Sequence, residues 1–150
     1  MTDAELVAKK LAEIETYVRE LRQLAQPEAI GRDLKEERFV LHTLQLAIQA
    51  ALDAASHVVS DERLGEPERN RELFELLARA GWIPGELGSR LRDMAGFRNV
   101  LVHEYAAVDL AIVRDVVENR LDDLLEFGAA MRTRLGGSPR SGPPSAPEPR

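Results

Sequence analysis

The chain has no cysteine among its 150 residues. Disulfide staples, thiolate nucleophiles and cysteine-ligated zinc are therefore excluded, and the composition fits a reducing compartment. Aromatic residues are scarce at 5%, with a single tryptophan. The core must be aliphatic, and Leu, Ala, Val and Ile suit helix packed on helix. Long hydrophobic runs are missing too. Val100-Leu101-Val102 and Leu110-Ala111-Ile112-Val113 fall far short of the ~18 residues that span a bilayer. The opening Met-Thr-Asp-Ala-Glu is acidic and lacks the layout of a signal peptide, so a cytoplasmic protein with no membrane partner is expected. No glycine-rich phosphate loop occurs. None of the three histidines has an acid three residues before it, so the Glu-x-x-His pattern of a di-iron bundle is absent. No metal and no cofactor are expected.

Positive charge is in deficit. Twenty Lys and Arg face 26 Asp and Glu, a net charge of −6. This counts against a domain whose whole surface grips nucleic acid, since such domains are usually basic. An acidic protein acting on RNA needs its cations focused at one site.

The apolar pattern is helical throughout. Residues 3–25 place Val7, Leu11, Ile14, Val18, Leu21 and Ala25 on one stripe, closed by Pro27. A second long helix is predicted from Glu28 to Val59, with Ile30, Leu34, Leu41, Leu44, Ile48, Leu52, Ala55 and Val59 inward. A third starts at Pro67, buries Leu73, Leu76 and Leu77, and stops at Gly81. A fourth runs from Pro84 to about His103. Asp109 caps a fifth, whose stripe of Val113, Val116 or Val117, Leu121, Leu124, Gly128, Met131 and Leu135 continues to Gly136. No period-two strand pattern appears. The fold class is all-α: an antiparallel bundle of four main helices and one short one over residues 1–135. Residues 136–150, rich in Gly, Pro and Ser, cannot repay the entropy of ordering and are expected to be a disordered tail.

The chemistry concentrates in Phe97-Arg98-Asn99-Val100-Leu101-Val102-His103-Glu104-Tyr105. Leu87, Leu91, Met94, Arg98, Leu101 and Tyr105 recur at spacings of 4, 3, 4, 3 and 4, which sets Arg98 inside an apolar seam. A guanidinium there is costly without a partner or an anionic ligand. His103 lies about 140° around an ideal helix from Arg98. Asn99, four residues before His103, lies beneath it. For Arg98 and His103 to serve one phosphate, either the helix ends near His103 or a second subunit completes the site across a two-fold axis. The two-fold arrangement is the preferred one, and it supplies one histidine as base and one as acid. His103 then takes the proton of a ribose 2′-hydroxyl while Arg98 stabilises charge on the attacked phosphate. Without a 2′-hydroxyl, DNA is not a substrate. The plainer reading is that Arg98 caps carbonyls or pairs with an acid, that His103 interacts with the helix dipole, and that Tyr105 packs.

The second helix carries His42, Gln45, Gln49, Asp53 and His57 in a line. This is either a solvated face or a polar stripe turned toward the Arg98–His103 site, with Asp53 pairing Arg98. Arg32, Lys35 and Arg38 alternate with Asp33, Glu36 and Glu37, which reads as a salt-bridged helix face.

On these residues the chain resembles the HepT-like family of the HEPN superfamily. The family signature is Arg, four to six residues, His, then Tyr one residue later. Here it is Arg98, His103 and Tyr105, set in the run from Met94-Ala95-Gly96-Phe97 through Tyr105. Glu37-Arg38 with Gln49, Asp53 and His57, and Phe74, Leu77 and Gly81-Trp82-Ile83, are similar too, so the resemblance covers about residues 3–130. It implies a metal-independent ribonuclease toxin of a two-gene toxin–antitoxin system. It also implies a homodimer whose paired motifs line one cleft, with Arg98 and His103 catalytic; Asn99 and Asp53 are expected to support them from their positions on the two helices. The partner it implies is an MNT-type nucleotidyltransferase antitoxin that transfers AMP to Tyr105. The alternative is a non-catalytic dimeric helical partner of a minimal nucleotidyltransferase.

Overall fold

In the computed structural model, residues 2–103 and 108–136 are described. Tyr105 and the tail from residue 137 onward lie outside the described residues. Helix α1 (Ala4–Leu24) begins where the Leu6 N–H donates to Oδ1 of Asp3 at 3.1 Å, satisfying one of the otherwise unpaired amides of the first turn. Its stripe of Val7, Leu11, Ile14, Val18 and Leu21 is fully buried, as the spacing predicts.

The segment after α1 departs from the expected single helix. Pro27–Ala29 forms a 3₁₀ turn, Gly31 takes φ +94°, and α2 (Leu34–Asp61) starts only afterwards. A positive φ at Gly31 breaks a helix that Ile30 and Leu34 would otherwise continue. Asp33 then caps α2, accepting from the N–H groups of Lys35 at 3.0 Å and Glu36 at 3.5 Å. Leu34 is left 60% exposed instead of joining the core.

Helix α2 is the central element. Thirteen of its residues are buried, and it touches α1, α3, α4 and α6. The third helix is shorter than predicted. Residues after Pro67 form turns, and α3 spans Glu72–Arg79, ending at Gly81 with φ +85°. Leu73 and Leu77 are buried, while Leu76 is half-buried. Helix α4 spans Gly85–His103.

The predicted fifth helix is two. Asp109 does cap α5 (Leu110–Asn119), accepting from the Ala111 N–H at 2.9 Å. The chain then bends at Arg120 before α6 (Leu121–Leu135). The count is therefore six α-helices and one 3₁₀ turn among the described residues, with no strand. No described helix is long and apolar enough to cross a membrane.

The core runs between all six helices. At its centre Phe74 and Phe127 meet edge to face, 5.5 Å between centroids at 88°. Around it, surface ion pairs mark the direction of the helices. Arg22 pairs with Asp122, and Glu15 pairs with Arg132 at 3.0 Å, so α1 and α6 run antiparallel. Arg90 joins α4 to α6 through Asp123 at 2.9 Å and Glu126 at 3.2 Å.

Candidate active site

Helix α4 brings the motif to the surface of the bundle. Leu87, Leu91, Met94 and Leu101 are buried along the seam. Arg98, on the same seam, is half-buried. Its Nη1 donates to Oδ1 of Asn99 at 3.1 Å. Its Nε is buried and has no hydrogen-bond partner among the described residues. An unmet buried donor of this kind costs about 1–3 kcal/mol. A guanidinium held part-way out of water, with one edge unpaired among the described residues, is suited to an anion that brings its own oxygens.

Asn99 and His103 stand four residues apart on α4, hence on one face. The His103 side chain lies outside the described residues, as does Tyr105.

The expected Asp53–Arg98 pair is not made. Asp53 instead accepts from Nε2 of Gln49 at 2.8 Å and lies 3.5 Å from Nζ of Lys10 on α1. The α2 stripe thus splits. Its later part turns to α1, where Lys10 supplies the nearer cation. Its earlier part turns to α4, where Arg38, Leu41, His42 and Gln45 enclose a cavity of about 320 Å³ with Leu101. Neither a wholly solvated face nor a single inward stripe describes it.

The Arg32, Lys35 and Arg38 triplet also differs from expectation. Arg32 donates to the Glu28 carbonyl at 3.1 Å, and neither Lys35 nor Arg38 forms a salt bridge among the described residues. Two of the three interleaved acids are engaged elsewhere: Asp33 caps the helix and Glu36 accepts from the Gln26 N–H at 2.7 Å. Arg38 is the residue of interest that sequence reasoning misses. Its signal is the Arg38, Leu41, His42, Gln45 spacing of 3, 1 and 3, one face of a helix. No group of three or more His, Asp or Glu among the described residues could hold a metal ion.

Residues 11–131 match the family model described as Ribonuclease HepT-like. The chain belongs to that family. Among its HepT-like relatives is the mRNA nuclease HepT of Shewanella oneidensis, 31% identical over 124 residues, 82% of this chain and 93% of the relative. The tRNA nuclease HepT of Aphanizomenon flos-aquae is 38% identical over 66 residues, 44% of this chain and 45% of that one. The fold is likewise similar to the tri-AMPylated Shewanella oneidensis HEPN toxin solved in complex with its MNT antitoxin. There the TM-score is 0.79 at 30% identity, covering 89% of this chain and 99% of the toxin.

Proposed function

We propose that this HepT-like chain is a metal-independent endoribonuclease and the toxin of a toxin–antitoxin pair. The observation that carries the reading is Arg98, a cation in an apolar seam with a buried donor unpaired among the described residues, in a chain of a ribonuclease family. His103 acts as the general base. It takes the proton of the ribose 2′-hydroxyl, the 2′-oxygen forms a bond to the adjacent phosphorus, and the bond from phosphorus to the 5′-oxygen breaks. Arg98 stabilises the negative charge that builds on the phosphoryl oxygens. The leaving 5′-oxygen takes a proton from the second histidine of a two-fold dimer. The products are a 2′,3′-cyclic phosphate and a 5′-hydroxyl.

Asn99 orients Arg98 through the bond between their side chains. Asp53 supports from a distance, by fixing Gln49 and Lys10 behind the stripe. An MNT-type nucleotidyltransferase is the antitoxin, and Tyr105 receives AMP. The support for this assignment is the similar Shewanella toxin, which is tri-AMPylated and in complex with an MNT antitoxin. The protein works in the cytoplasm, where its RNA substrate is.

The test is cleavage of mixed cellular RNA by partner-free protein in excess EDTA, comparing wild type with His103→Ala. Cleavage by the wild type alone, with cyclic-phosphate ends, supports the reading. Equal cleavage by both, or none by either, rejects it.

A further inference from the structure

The cavity between α2 and α4 has a lining that stands out in so acidic a protein. Among the described residues, Arg38, His42 and Gln45 supply its polar groups, Leu41 and Leu101 its apolar ones, and no carboxylate lines it. Two other cavities differ in this respect. One holds Glu72, Glu75 and Asp93 beside its arginines, and another holds Asp93, Asp115 and Asp123. A cation facing carboxylates is already neutralised, whereas Arg38 has no salt-bridge partner among the described residues. The volume, about 320 Å³, is at the small end of the range for ligand sites, roughly 300–1,000 Å³.

Position gives the cavity its meaning. Leu101 lies three residues after Arg98 and two before His103. At a spacing of three on one helix, Leu101 and Arg98 share a face. Leu101 lines the cavity with Arg38, and Arg98 stands about one turn before Leu101 on α4; neither arginine forms a salt bridge among the described residues. Two arginines without carboxylate partners among the described residues, one in the cavity and one a helical turn away from its Leu101 wall, suit a chain of phosphates rather than an isolated anion.

We propose that Arg38, His42 and Gln45 form a subsite for the nucleotide next to the cleaved linkage, with Arg38 on its phosphate and Gln45 and His42 on its sugar or base edge. The proposal rests on the nuclease reading for its substrate, but its contacts are separable from the chemical step. Arg38 is a binding residue here. Its guanidinium sits at the surface, so its removal leaves the core intact.

The test uses the full-length protein carrying His103→Ala and a single-stranded 2′-O-methyl oligoribonucleotide, which cannot be cut by 2′-hydroxyl attack. Adding Arg38→Ala weakens binding about five- to tenfold and lowers the slope of log affinity against log salt by about 0.7. In the His103-intact protein, Arg38→Ala and His42→Ala raise KM for RNA while leaving kcat within about twofold. Unchanged affinity and unchanged salt slope overturn the subsite, as does loss of nucleotidyltransferase binding with RNA binding intact. The two readings fail separately. Cleavage that ignores Arg38→Ala removes the subsite alone. Arg38-dependent oligonucleotide binding by a protein that never cuts RNA removes the nuclease alone.

Discussion

Arg98 donates through Nη1 to its neighbour Asn99 at 3.1 Å, and its Nε, on the other edge of the guanidinium, is buried without a partner among the described residues. The asparagine fixes one edge of the guanidinium and leaves the other for a ligand. Asn99→Ala therefore frees the fork without removing its charge. Single-turnover RNA cleavage should fall about ten- to hundredfold, mostly in kcat, because a misplaced catalytic group loses pre-organisation. Asn99→Gln keeps a neutral amide acceptor beside the guanidinium and should restore part of the rate. Equal losses in both variants would mean that Asn99 does something other than hold Arg98.

Arg98 itself should cost the fold stability. Replacing it with methionine removes an unmet donor and a half-buried charge from a seam of leucines while keeping roughly the same volume. Arg98→Met should raise the unfolding free energy by about 1 kcal/mol in urea titrations at fixed protein concentration. It should also abolish cleavage. A stability loss instead would mean that the assembled protein already gives Nε a partner.

Much of this was legible in the sequence, and the failures have physical causes. The α1 stripe and the α4 seam follow from 4-3 spacing, because a buried helix face must be apolar at that period. The Asp109 cap was visible because its side chain serves the helix locally. The break at Gly31 was masked by Ile30 and Leu34, which fit the helical period although Leu34 ends up exposed. Its signal was present in Asp33-x-x-Glu36, an N-terminal pattern after a glycine. The bend at Arg120 has neither glycine nor proline to mark it. The chain bends there because α5 and α6 each bury a separate face, an outcome of tertiary packing. Asp53 could not be placed because its partner, Lys10, lies on α1, a contact far along the chain that spacing does not encode.

Acid should weaken one specific junction. Asp115 has its pKa lowered, first by the hydrogen bond from Asn119 and then by Arg120, with burial opposing them in part. A carboxylate whose folded pKa is depressed stabilises the fold above its unfolded pKa, and that contribution disappears as pH falls through the folded value. Asp115→Asn removes it at every pH. Wild type should melt higher than Asp115→Asn at pH 6, and the gap should narrow by about pH 2, below the ordinary carboxylate range. A gap that stays constant between the two pH values would show that Asp115 is not the group whose titration matters at the α5–α6 bend.

Tyr105 comes seven residues after Arg98 and two after His103. AMP placed on it adds phosphate charge close in sequence to the cations that must receive RNA. Each added phosphate is an anion that Arg98, with its unpaired edge, can accept in place of substrate. Modification and RNA binding should therefore exclude one another without any change of fold. Incubated with the nucleotidyltransferase and ATP, the wild type should gain mass in whole AMP units and lose RNA cleavage, while its melting temperature is kept or raised. Tyr105→Phe should gain no mass and should continue to cut RNA in the presence of partner and ATP. If Tyr105→Phe is silenced equally, the partner inhibits by covering the cleft, and the adenylyl group is not the inhibitor. If the wild type is modified yet keeps cutting, AMP and RNA do not compete, and Tyr105 points away from the groove that Arg98 serves.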